Sequence, residues 1–136
     1  MSNEGPLICV VDDDASVREA LPDLLRELGY VSHAFSSAKE FLSSKALDEA
    51  HCLILDVAMR EMTGPELHQE LILRHQAIPV IFVTAIRDEG LRPRLLAAGA
   101  VDCLFKPVSE NALIEALDTA LRTKEAPMPP RSGIQG

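Results

Sequence analysis

The chain has 136 residues, 47% of them hydrophobic, which fits one ordinary globular domain with its own core. A net charge of −8 and a pI of about 4.9 oppose the basic footprint with which nucleic-acid binders neutralise phosphates, so this segment is expected to make no direct nucleic-acid contact. No apolar run approaches the roughly 18 to 20 residues of a membrane-spanning helix, and the start, Met-Ser-Asn-Glu-Gly-Pro, lacks the layout of a signal peptide; a cytoplasmic location with no membrane partner is expected.

Five short apolar runs alternate with helix-like segments: Leu7–Val11, Val31–Phe35, Cys52–Leu55, Pro79–Val83 and Val101–Phe105. This βαβ alternation predicts an α/β fold with a parallel sheet covered on both faces. The first and third runs are continuous in hydrophobicity, as strands buried on both sides should be. Cys9, Cys52 and Cys103 each lie inside such a run with no metal-type spacing and read as small buried hydrophobes.

The first crossover carries Val17, Leu21, Leu24 and Leu28 at helical spacing, with Asp14 as N-cap and Gly29 as a left-handed stop, which predicts a helix over about 15–28. Pro22 inside it predicts a kink, not a break. Ser37 to Glu40 has capping-box spacing ahead of the second helix, and Gly64-Pro65 opens the third. Gly90 and Pro93 fall at the entry of the fourth helix and predict a short one. Ser109 is a plausible N-cap for the fifth, which should bury Leu113, Ile114, Leu117 and Leu121. Residues 1–122 are expected to form the domain. Residues 123–136, with Pro127, Pro129, Pro130, Gly133 and Gly136, are expected to be a disordered tail or linker. His33, His51, His68 and His75 are scattered and are expected at the surface.

In a doubly wound sheet, ligands bind beyond the carboxyl ends of the strands. Here the first strand ends in Asp12-Asp13-Asp14, the third in Asp56, the fourth in Thr84 and the fifth in Lys106. Crowded carboxylates repel by roughly 4 kcal/mol per pair at about 4 Å and an effective dielectric of about 20, which a divalent cation or raised pKa values must relieve. Oxygen donors without histidine or cysteine favour a hard ion, Mg2+, with Mn2+ able to substitute. Phosphoryl transfer asks for a nucleophile, a metal, a positive group and a hydroxyl donor; Asp56, Mg2+, Lys106 and Thr84 fill these roles. Asp14 is assigned to capping and left out of the site.

The segments Val10-Val-Asp-Asp-Asp14, Leu55-Asp56 with Met59 and Gly64, Pro79-Val-Ile-Phe-Val-Thr-Ala85, Ala98-Gly-Ala-Val-Asp102 and Lys106-Pro107 together resemble the response-regulator receiver domains of bacterial two-component systems, over about residues 6–122. The style is similar to the subgroup often joined to LuxR-type output domains. The resemblance implies a flavodoxin-like, doubly wound, five-stranded parallel sheet of order 2-1-3-4-5 with five helices. It implies that a histidine kinase phosphorylates Asp56, that Asp12, Asp13, Asp56 and the backbone carbonyl of Ala58 hold the metal, and that Thr84 and Lys106 contact the phosphoryl group. It makes Pro107 a cis-proline candidate. It also implies a phosphoacceptor without separate substrate turnover. Phosphorylation would switch the face of the fourth helix, fifth strand and fifth helix for partner binding or homodimerisation.

Three departures stand out. Arg60 replaces the proline usual after the methionine, so an altered loop is expected. Cys103 stands where many receivers carry an aromatic switch residue, and Phe105 is expected on the opposite side of the strand. Ala58 and Ile86, flanking the site, are both apolar and ill suited to orient a hydrolytic water, so a long-lived phosphoryl-Asp56 is expected. Two alternatives remain from the sequence. One is an interaction module that works without phosphorylation, suggested by Cys103 and the disturbed fourth helix. The other is a haloacid-dehalogenase-type Mg2+ phosphohydrolase, because Asp12-Asp-Asp14-Ala-Ser16 resembles its nucleophile motif. That family needs a further acidic pair, which is missing here, and it leaves Asp56 without a role.

Overall fold

The structure, a computed structural model, describes residues 5–125. Strands β1 (Leu7–Val11), β2 (Val31–Phe35), β3 (Cys52–Asp56), β4 (Val80–Thr84) and β5 (Asp102–Phe105) form one sheet in the order β2-β1-β3-β4-β5. Every neighbouring pair is parallel. This is the predicted flavodoxin-like, doubly wound topology. β3 and β4 end one residue later than predicted, so Asp56 and Thr84 are the last residues of their strands, while Asp12 and Lys106 directly follow theirs.

Six helices cross between the strands among the described residues: α1 (Ala15–Glu27), α2 (Ala38–Leu42), α3 (Ala46–Glu49), α4 (Gly64–Leu73), α5 (Leu91–Ala97) and α6 (Glu110–Glu125). The expectation of five is corrected here, because the second crossover holds two short helices. Ser44 explains the split: its backbone N–H and its hydroxyl both donate to the Phe41 carbonyl, at 3.0 and 2.8 Å, which closes α2 before α3 begins. The predicted third, fourth and fifth helices are thus α4, α5 and α6. The last runs to Glu125, and of the predicted tail or linker the residues from 126 onward lie outside the described residues.

α1 passes unbroken through Pro22, and its buried residues are Leu21, Pro22 and Leu25. Leu25, not Leu24 or Leu28, is its deepest leucine, since the stripe facing the sheet runs through 21 and 25 at a spacing of four. α6 likewise buries Leu113, Ala116, Leu117 and Ala120, leaving Ile114 and Leu121 half-buried. Two cores sandwich the sheet. One joins Ile8, Val10, Ile54, Ile81 and Val83 to the leucines of α1 and α6. The other joins Val11, Leu53, Leu55 and Phe82 to Phe41, Leu67, Leu71, Leu91 and Leu95 of α2, α4 and α5. β3 and β4 are buried along their whole length, whereas β2 is half exposed because it is an edge strand.

All three cysteines are buried, Cys9 in one core and Cys52 in the other, and burial pushes both thiols up to about 12. One histidine departs from expectation. His68 is buried on α4, its ring packed edge-on against Phe82 at 5.7 Å, because position 68 lies one residue from Leu67 on the sheet-facing side of the helix.

Candidate functional site

The carboxyl ends of β1, β3, β4 and β5 converge on one rim. Asp12 is fully buried there and tied down on three sides. Its backbone N–H donates to the Phe35 carbonyl at 3.1 Å, its carbonyl accepts from Arg18 Nη1 at 2.9 Å, and its Oδ1 accepts the Asp14 N–H at 2.9 Å. Asp14 in turn caps α1, with Oδ1 accepting the Ser16 N–H at 3.0 Å and the Ser16 hydroxyl at 2.7 Å. These bonds hold its carboxyl below the usual carboxylate range and leave it outside the acidic cluster.

Asp12, Asp13 and Asp56 each offer an oxygen within 4.8 Å of the others. The Lys106 ammonium completes the group, 3.1 Å from Asp12 Oδ2 and 3.5 Å from Asp56 Oδ1. The first contact is an ion pair outside hydrogen-bond geometry, so Asp12 Oδ2 is buried without a hydrogen-bond donor. Loss of water pushes the Asp56 carboxyl up to about 6 from 3.8; neighbouring Asp12 adds to this and Lys106 opposes it. Burial pulls the Lys106 ammonium down, but the two carboxylates outweigh it and hold its pKa above the ordinary value.

Thr84 is fully buried at the end of β4. Its Oγ1 accepts the Ile86 N–H at 3.0 Å, and its carbonyl accepts the Lys106 N–H at 2.8 Å, which ties the ends of β4 and β5 together. Ala58 and Ile86 are exposed, in the loops after β3 and β4. The Lys106–Pro107 peptide is cis. The predicted side chains Asp12, Asp13, Asp56 and Lys106 therefore come together, Thr84 joins them through the backbone of β5, and Ala58 stands two residues beyond Asp56.

The loop after β3 is shaped by its ends. Gly64 packs its backbone onto Asp56, so closely that a Cβ there would run into the Asp56 carbonyl oxygen, and its N–H donates to the Val57 carbonyl at 2.9 Å. Thr63 and Glu66 form a full capping box for α4 that the sequence reading passed over, although the Thr-x-x-Glu spacing displays it. Three arginine pairings also lie beyond the sequence expectations, which singled out Arg60 only for its loop and left Arg18 and Arg87 unassigned. Arg60 donates its backbone N–H to Asp13 Oδ2 at 3.3 Å and brings its Nε within 4.0 Å of the same oxygen. Arg18 holds the Asp12 carbonyl. Arg87 donates to the Lys106 carbonyl at 3.2 Å and lies over the Phe105 ring at 5.1 Å. No local pattern signals such pairings between loops.

An acidic rim with one lysine, at the carboxyl edge of a doubly wound parallel sheet, lies where proteins of this fold class bind their ligands, and its oxygen donors suit a hard cation. Residues 8–118 match the family model of the response regulator receiver domain, and the chain belongs to that family. It is 38% identical over 122 residues to the response regulator protein TmoT of Ectopseudomonas mendocina, covering 90% of this chain and 56% of TmoT. Among solved structures, the response regulator StyR superposes with a TM-score of 0.81 at 39% identity, covering 88% of this chain and 61% of StyR. A receiver protein from Burkholderia phymatum gives 0.74 at 40% identity, covering 85% of this chain and 94% of its own. The chain thus spans about half the length of the curated relatives it matches. Receiver domains generally bind Mg2+ at an acidic pocket, and the residues here fit such an ion: three convergent carboxylates, oxygen donors only, and a buried Asp12 oxygen lacking a hydrogen-bond donor.

Proposed function

We propose that Asp56 accepts a phosphoryl group from the phosphohistidine of a histidine kinase, with the domain acting as a switch and turning over no separate substrate. The observation that carries this reading is the Lys106 ammonium paired with both Asp12 and Asp56 at the buried rim. At neutral pH a carboxyl with a pKa of about 6 is mostly ionised and nucleophilic. One of its oxygens attacks phosphorus as the bond to the donor imidazole nitrogen breaks. The electron pair leaves with the imidazole, and an acyl phosphate forms on Asp56.

Mg2+, or Mn2+ in its place, would be held by Asp12, Asp13, Asp56 and the backbone carbonyl of Ala58, and would supply charge neutralisation for the phosphoryl oxygens. Lys106 stands ready to pair with one of those oxygens, and the Thr84 hydroxyl retains its proton to donate to another. Asp12 is the weaker candidate for nucleophile, because its Oδ1 is occupied by the Asp14 N–H and its Oδ2 is fully buried. Ala58 and Ile86 offer no group to orient a hydrolytic water, which supports a long-lived phosphoryl-Asp56.

The readout we propose runs through Thr84 and Lys106 to the face of α5, β5 and α6, where a partner or second copy would bind. The receiver unit is assigned to the residues up to 125, where α6 ends, three beyond the expected 122, and 126–136 to a tail or linker, with a cytoplasmic location and no direct contact to nucleic acid or membrane.

The test is incubation with Mg2+ and acetyl phosphate, followed by borohydride trapping and mass spectrometry. Label on Asp56, absent in Asp56→Asn and decaying slowly, is the expected result. Label on Asp12, or sustained turnover of p-nitrophenyl phosphate, would sink the reading in favour of a hydrolase. Partner binding that is unchanged in Asp56→Asn would favour a phosphorylation-independent module.

A further inference from the structure

Among the described residues, the three carboxylates of the site pair with two different cations, which leaves a net negative charge. Lys106 pairs with Asp12 and Asp56, and the cation paired with Asp13 is Arg60. Lys106 is largely shielded, its side chain 22% exposed, whereas the Arg60 side chain is 90% exposed on the loop after β3. That loop is pinned by the buried side chains of Val57 and Met59, and it turns at Glu61, whose φ of 68° is left-handed. Arg60 is held between these anchors, its own N–H on Asp13 Oδ2 and its guanidinium beside the same oxygen. The two contacts have opposite consequences for a metal. A backbone N–H orients the carboxylate without adding net charge, while the guanidinium adds a full positive charge beside one of the carboxylates that would hold a divalent cation.

Resting on the metal site proposed above, we infer that Arg60 is a tethered rim cation that competes with the divalent ion for Asp13 and lowers the metal affinity of the resting domain. Its long exposed side chain swings away at small cost, so the competition is modest. Exposed ion pairs are worth up to about 1 kcal/mol, which corresponds to an affinity change of about 2- to 5-fold. Because the guanidinium is solvated, added salt screens it, and the effect should fade as the Debye length falls below the separation of the charges.

The experiment is titration of the unphosphorylated full chain with Mg2+, followed by calorimetry and by amide chemical shifts, for the natural protein, Arg60→Ala and Arg60→Lys. Arg60→Ala keeps the backbone N–H and should bind Mg2+ about 2- to 5-fold more tightly at low ionic strength, with the gap closing toward unity at about 1 M salt, where the Debye length is about 3 Å. Arg60→Lys keeps the charge and should stay close to the natural protein. Equal or weaker affinity in Arg60→Ala, or Arg60→Lys behaving like Arg60→Ala, would overturn the inference while leaving the metal site intact. Absence of Mg2+ binding in all three proteins would remove the metal site itself, and the inference with it.

Discussion

Asp56 is a carboxylate that the fold makes uncomfortable. Its pKa is raised from 3.8 to about 6, so protonation is favoured in the folded chain. The stabilising contribution of that proton is fully present below pH 3.8 and is lost as pH rises through about 6, leaving an ionised group that costs stability at neutral pH. Without metal at pH 7.5, Asp56→Asn should therefore be more stable than the natural protein by about 1–3 kcal/mol, and the difference should vanish below about pH 3.5 in urea unfolding. His68 works in the other direction. Burial lowers its pKa below 6.5, so its contribution is present above 6.5 and is lost on acidification. Relative to His68→Leu, the natural protein should lose stability as pH falls below about 6.5, read from the same unfolding curves. His68 also marks a limit of pattern reading: a histidine one residue from a core leucine can fall on either edge of a helical stripe, and only packing against Phe82 decides which.

At the scale of elements, the loops at the carboxyl edge depend on a few close contacts. Gly64→Ala forces a methyl group into the Asp56 carbonyl, so it should cost about 1–3 kcal/mol and shift the Asp56 amide resonance, a combination that an ordinary helix-start substitution would not produce. The β4–α5 loop is fastened by Ile86 to Thr84 and by Arg87 to Lys106 and Phe105, so both groups proposed to contact phosphoryl share their anchors with the entry to α5. The caps of α1, α2 and α6, at Asp14, Ser37 and Ser109, were legible because each is a local exchange between a side chain and an amide two or three residues on. The break between α2 and α3 was not, since it turns on a serine that bonds back to a carbonyl instead of onward.

For the whole molecule, the switch proposal predicts a coupling between the acidic rim and the face of α5, β5 and α6. Adding beryllofluoride with Mg2+ should change the amide spectrum of residues on that face and, if a second copy is the partner, raise the mass in solution; Asp56→Asn should do neither. An unchanged spectrum and mass in the natural protein would argue for phosphorylation-independent binding. The Cys103 thiol, buried within that face and held above its ordinary pKa by burial, offers a small apolar group where the resemblance leads one to expect an aromatic ring. The expectation for Phe105 is corrected: side chains alternate along β5, so Phe105 shares the side of Cys103 while Leu104 faces the other core, and Arg87 lies over the Phe105 ring.

The sequence by itself determined the alternation of strands and helices, the two central strands, and the set of polar residues at strand ends. These follow from local hydrophobicity and from a fixed rule about where ligands meet parallel sheets. The tertiary structure decided how those residues pair: Lys106 with Asp12 and Asp56, Arg60 with Asp13, and Arg87 with Lys106. It also decided which leucines and which histidine are buried. Such pairings join residues as far as 94 positions apart, Asp12 and Lys106 among them, and distances of a few ångströms between them are set by strand order and by the ends of loops, about which neighbouring residues carry no information.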